Sequence, residues 1–204
     1  LHKVKYEADV VTIDFPCNTF SRARKNDGLG PPPLRDDNMF LKGRPGLSSK
    51  DMQKVEEANL LVKRTIEIIK TALANRRIVM LENPLTSRLW LLKELLALTS
   101  LPNCEFVDTD FCQYGLPWKK PTRFAVWNMS GLRLPQCTGA QTCSMSMEPH
   151  IELVGKTNGH FRTKLAEPYP PAMCELIANH ISKYIGSSVQ GIIHDSRSGA
   201  DTIH

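Results

Sequence analysis

At 204 residues the chain is long enough for one domain with a sizeable core, and its 41% hydrophobic and 23% charged content is ordinary for a globular protein. No run approaches the roughly 18 apolar residues of a membrane span, and no signal-peptide pattern opens the chain, which argues against membrane-spanning and secreted classes. The net charge of +5, from 26 Lys+Arg against 21 Asp+Glu, permits a polyanion partner without requiring one.

The first element predicted is a buried strand. Val10, Val11, Ile13 and Phe15 form a short β-branched run that stops at Pro16-Cys17. A thiol at the carboxyl end of a buried strand is well placed to be a nucleophile, because open α/β sheets put their ligands there. It also fits as a plain half-buried cysteine, the commoner case. Residues 18 to 47 read as a long loop broken by glycines and the triple proline 31–33, with Arg22, Arg24 and Lys25 near its start. Such a loop closes over a phosphate backbone or is a solvated linker, and composition does not separate the two.

Ser48 or Ser49 caps a predicted helix running to about Asn75, with Val55, Ala58, Val62, Ile66, Ile69 and Leu73 on one stripe. A second strand follows over Arg77 to Glu82, ending in Glu82-Asn83-Pro84. Thr86 or Ser87 then opens a short helix through Leu98, with Leu89, Leu92, Leu95 and Leu96 inward. Strand, helix, strand, helix is a βαβ pattern whose functional end carries Cys17 and Glu82. Cys104 to Thr109 and Phe124 to Trp127 make two more strands. Between them Gly115 and Pro117 mark a turn followed by Lys119, Lys120 and Arg123, so an antiparallel pair at one sheet edge is predicted. Residues 128 to 169 are irregular, with Met145 and Met147 expected as gap-filling core. The last helix is predicted over about 171 to 185, with Met173, Leu176, Ile177, Ile181 and Tyr184 or Ile185 inward. Gly186 is expected to stop it, leaving a frayed tail from Ser187.

The six cysteines (17, 104, 112, 137, 143, 174) contain no C-x-x-C pair, which predicts reduced thiols and an intracellular location, in nucleus or cytoplasm. Cys137, Cys143 and His150 lie close in sequence, with Cys104, Cys112 and His160 also available. Their spacings, C-x5-C and C-x6-H, are not those of common zinc sites, so the sequence predicts no metal and leaves these three as candidates.

The Pro-Cys with its basic loop, the Glu-Asn-Pro and the Tyr114-Gly-Leu-Pro-Trp-Lys-Lys120 turn together resemble the DNA cytosine-5 methyltransferase family. Asp9 to Ser21 resembles its Pro-Cys-Gln motif, Leu81 to Pro84 its Glu-Asn-Val motif, and Tyr114 to Val126 its Tyr-Gly-x-Pro-Gln-x-Arg-x-Arg segment. Asn18, Pro84, Trp118 and Lys120 depart from the family's residues, and Thr122 stands where a second arginine is expected, with Arg123 one position along. The resemblance implies a partial Rossmann-like α/β sheet, with residues 1–127 as catalytic half, 128–169 as a target-recognition-like region and 170–204 packing back. It implies methyl transfer from S-adenosylmethionine to cytosine C5 in DNA, and less readily in RNA, through a covalent Cys17 adduct. Glu82 would act at the base's N3, Asn83 would hold its edge, and Lys120 would lie near base and phosphate. Ser21, Arg22, Arg24, Lys25, Lys119 and Arg123 would contact nucleic acid around an everted base.

The family's glycine-rich donor-binding turn has no counterpart in the sequence. Either a missing N-terminal segment or partner chain completes the sheet, which the start at Leu1 favours, or the chain keeps only the base-binding half. The alternative function is an inactive nucleic-acid-binding or structural module derived from this fold. A cysteine hydrolase ranks last, since none of the histidines lies in a recognisable context.

Overall fold

The computed structural model describes residues 8–24, 26, 31–157 and 159–198. Four strands, β1 (Val10–Asp14), β2 (Ile78–Pro84), β3 (Cys104–Asp110) and β4 (Pro121–Trp127), form one mixed sheet in the order β1-β2-β4-β3. β1 and β2 are parallel and joined through the helix α1 (Ser49–Ala74). β4 runs antiparallel to both β2 and β3. The predicted α/β class and the antiparallel pair at one edge are both present.

Period-two alternation along the central strands builds two cores. Val79, Leu81, Ala125 and Trp127 face α1 and the short helix α2 (Lys93–Thr99), packing with Phe15, Phe20, Ile66, Ile69 and Leu95. Ile78, Met80, Phe124 and Val126 face the opposite side. There they meet Phe111, Met129, Leu132, Leu134 and Met173, the last on the helix α3 (Pro171–Ser198). Side-chain parity on β2 and β4 therefore decides which layer a residue enters.

α1 forms where the stripe predicts it, and Ser48 caps it by accepting a hydrogen bond from the Asp51 amide at 3.2 Å. Before α2 comes a 3-10 turn, Arg88–Leu91, which Ser87 caps through the Leu89 amide at 3.2 Å. Leu89, Leu92, Leu95 and Leu98 are buried but Leu96 is exposed. The three-residue period set by the 3-10 turn carries the inward face past Leu96, which corrects its predicted place.

α3 continues through Gly186 to Ser198, where the sequence predicted a stop. A glycine inside a helix costs only about 1 kcal/mol relative to alanine. Met173, Ile177, Ile181, Tyr184 and Ile185, all on the amino-terminal side of Gly186, anchor the helix to the second core, while Leu176 is exposed. Met145 and Met147 are also exposed, not core. Among the described residues no helix is long and apolar enough to cross a membrane.

The stretch from 18 to 47 has no helix or strand among its described residues, yet it is neither an open flap nor a linker. Phe20, Leu34 and Arg35 are fully buried. The Arg35 guanidinium lies 3.8 Å over the Phe20 ring and donates to Leu41 O, Asn59 Oδ1, Thr19 Oγ1 and Val55 O. Burial lowers its pKa to about 10. One guanidinium thus ties the loop to α1. Arg35→Ala is expected to cost at least ~3 kcal/mol, since several buried acceptors lose their donor at once and a cavity opens. Urea denaturation measures it.

Candidate active site

β1 and β2 are in register so that Asp14 pairs with Glu82. Both side chains therefore leave the sheet on the face of the second core, the face of Met80 and Phe124. Glu82 is nearly buried, and its Oε1 has no hydrogen-bond partner among the described residues. Burial raises its pKa to about 7, against the opposing pull of the Lys120 ammonium. This carboxyl is half protonated at neutral pH, able both to give and to hold a proton.

Cys17 lies three residues beyond β1, half-buried and free. Burial pushes its thiol above the usual range, Lys120 pulls it back, and Glu82 and Asp14 add to the rise. Thiol, carboxyl and ammonium thus act on one another at the ends of two neighbouring parallel strands. Lys120 enters from the residue before β4. Its ammonium donates to Ala166 O at 2.9 Å and stands 4.4 Å over the Phe111 ring and 6.0 Å over that of Tyr169. Tyr169 is the remaining neighbour of Glu82 and Lys120. Its buried hydroxyl has no hydrogen-bond partner among the described residues, and burial followed by the Glu82 and Asp14 carboxylates holds its proton firmly in place.

No family model, no curated protein and no solved structure matches the chain.

The structure thus brings Cys17, Glu82 and Lys120 together and adds two residues that sequence reasoning missed, Asp14 and Tyr169. Asp14 was legible as the residue of the first strand sharing parity with the strand's functional end. Tyr169, between Pro168 and Pro170, carried no signal beyond being a lone aromatic in a proline turn.

The remaining expected site residues lie elsewhere. Asn83 has the opposite parity to Glu82, so it enters the first core, where it is fully buried and donates to Phe15 O at 2.7 Å. It braces the Phe15-Pro16-Cys17 segment from behind and lies on the opposite face of the sheet from Glu82. Arg123, in register with Asn83, shares that parity. It forms a two-point ion pair with Asp108 at 2.7 and 2.8 Å and stacks over Phe106 at 4.5 Å. The shift of one residue from the family's arginine position turns it to the other face of the sheet, so it does not substitute there. Lys119 donates to Cys137 O and Gly139 O, at 2.9 and 2.8 Å, and points away from the site.

In the loop, Arg22 bonds Asp37 at 2.6 Å and Thr86 O at 2.8 Å, and Arg88 holds the same Asp37 at 2.8 Å. Arg24 donates to Asn18 O and Pro32 O, and Ser21 Oγ accepts from the Ala23 amide. These contacts fold the loop on itself. Lys25 lies outside the described residues.

The brace is testable. Asn83→Ala is expected to destabilise the fold by about 2 kcal/mol, because the Phe15 carbonyl is left buried and unpaired. It is also expected to slow any reaction of Cys17. Denaturation and thiol-labelling rates at Cys17 measure the two effects.

Proposed function

We propose that the chain is the base-attacking half of a cytosine-5 methyltransferase-like protein acting on DNA, on a partial Rossmann-like sheet. One observation carries the reading: Cys17, Glu82 and Lys120 share one electrostatic neighbourhood at the carboxyl ends of parallel strands β1 and β2. Cytosine C5 becomes nucleophilic only when the ring's aromaticity is broken. As the Cys17 sulfur bonds to C6, the ring electrons shift toward N3, which takes the proton of the Glu82 carboxyl, while the thiol's own proton leaves to solvent. The product is an enamine with a reactive C5. Lys120 favours the thiolate and offsets charge at the base or its phosphate. Only after C5 has taken up an electrophile does loss of its proton re-form the C5=C6 double bond and expel the sulfur, with N3 returning its proton to the Glu82 carboxylate. The target base would be everted to reach these residues, as enzymes acting on a base require.

S-adenosylmethionine is the methyl source that the resemblance implies, but the residues present do not fit it. Among the described residues no glycine-rich turn follows any strand, and β1 has no neighbour on its outer side. The chain's own residues account for attack on the base and not for delivery of the methyl group. A further segment or a partner chain adding to the β1 edge would supply that half.

The test needs no donor. Duplex DNA carrying pyrimidin-2-one in place of cytosine has a more electrophilic C6 and should give a denaturation-resistant adduct, mapped to Cys17 by mass spectrometry. DNA binding without an adduct would instead support the alternative, an inactive nucleic-acid-binding module. Absence of both would remove the nucleic-acid reading altogether.

A further inference from the structure

A second cluster stands apart from Cys17. Cys112, in the 3-10 turn Phe111–Tyr114, meets Cys137, Cys143 and His150 from the irregular region, and their three Sγ atoms and one ring nitrogen all lie within 4.8 Å of one another. The three cysteines are free and buried. Tetrahedral zinc, with Zn–S about 2.3 Å and Zn–N about 2.0 Å, needs ligand atoms about 3.3–3.8 Å apart. The Cys137 Sγ to His150 Nε2 separation is 3.6 Å. We propose that Cys112, Cys137, Cys143 and His150 bind one zinc ion that holds the 137–150 segment against the 111–114 turn. This site does not depend on the methyl-transfer reading.

The surroundings are those of a metal centre and not of a chance thiol cluster. His150 Nδ1 faces Ala140 O at 3.1 Å, which fixes the ring and leaves Nε2 toward the sulfurs. The Ser144 amide and hydroxyl reach Cys137 Sγ at 3.4 and 3.5 Å, and the Met145 amide reaches Cys143 Sγ at 3.5 Å. Gln113 Nε2 points at the sulfurs of Cys143 and Cys112, at 3.6 and 3.8 Å. Donors directed at sulfur are what thiolate ligands require once binding has released their protons.

The backbone is shaped to the same end. The Cys143 amide bonds Glu148 O at 2.8 Å and the His150 amide bonds Gln141 O at 2.7 Å, closing a tight hairpin that turns Cys143 and His150 inward. Gly139 allows the approach, since a Cβ there would meet Thr142 O at 1.8 Å. Asp110 Oδ2 accepts from the Cys137 amide at 2.8 Å, and Lys119 holds the carbonyls of Cys137 and Gly139. Lys119, expected to contact nucleic acid, has its place here. Sequence spacing failed to predict the site because its first ligand lies on the far side of β4, 25 residues before the second.

Elemental analysis of the whole chain, purified under reducing conditions without chelator, is expected to give one zinc per chain. Cobalt(II) exchanged into it should show the strong visible bands of a tetrahedral thiolate site and a near-ultraviolet sulfur-to-cobalt band. Cys137→Ser and His150→Ala should each lower zinc affinity by at least about 100-fold. Cys104→Ser and Cys174→Ser should retain full occupancy. If the ligand variants fail to fold, alkylation of the wild type decides. Cys112, Cys137 and Cys143 should be protected together and exposed together when a chelator is added. Substoichiometric zinc in folded protein without a cobalt–thiolate band, alkylation indifferent to chelator, or a disulfide among the three cysteines would each overturn the proposal.

Discussion

Glu82→Gln is expected to stabilise the folded protein at alkaline pH while suppressing adduct formation at Cys17. Burial raises the Glu82 pKa from 4.5 to about 7. Below about pH 4.5 the carboxyl is protonated in folded and unfolded chains alike, and its shift has no effect on stability. Between 4.5 and 7 the unfolded chain releases the proton that the folded chain retains. Wild-type stability therefore falls as pH rises through that window, and the full loss is present above pH 7. A shift of this size corresponds to roughly 3 kcal/mol. Glutamine carries no charge to desolvate, so the stability of the variant relative to wild type should climb by about that amount between pH 4 and pH 8. The same amide has no proton to give to N3, and trapping by pyrimidin-2-one DNA should slow by on the order of 10²–10⁴-fold. Denaturation at several pH values and trapping rates measure the two effects. A stability difference that stays flat with pH would contradict the buried-carboxyl argument, and an undiminished trapping rate would contradict the role in attack.

Cys17→Ser should abolish the covalent adduct, with a loss on the order of 10³-fold or more, because a hydroxyl ionises far less readily than a thiol and is a weaker nucleophile. Serine fits the same half-buried space, so stability should change by less than about 1 kcal/mol and DNA affinity should stay near the wild-type value. Two of the other free cysteines, Cys104 and Cys174, provide the contrast. Cys104 lies in β3, where burial raises its thiol to about 12, and Cys174 is exposed on α3. Neither lies at the carboxyl end of β1 or β2: Cys104 opens β3 and Cys174 is in the first turn of α3. Cys104→Ser and Cys174→Ser should therefore leave trapping unchanged. A band persisting in Cys17→Ser but lost in either control would move the nucleophile elsewhere.

The sequence by itself determined the strand order along the chain, the long capped helix and the placing of the candidates Cys17, Glu82 and Lys120 at or beside strand ends. These are local properties: apolar period, a Ser48 side chain that reaches the Asp51 amide, and short motifs held at strand ends. Tertiary structure alone decided on which face of the sheet each neighbour falls. Glu82 and Asn83 are adjacent in sequence, yet strand alternation sends the first to the face where Tyr169 lies and the second into the core behind Phe15. The same alternation turns Arg123 to Asp108, away from the site. Pairing across distance was equally beyond reading. Arg35 gathers partners from Thr19 to Asn59, and Cys112 meets its companions only because the 111–114 turn and the 137–150 hairpin pack together. Local sequence sets which residues can do chemistry; register and packing set which of them meet.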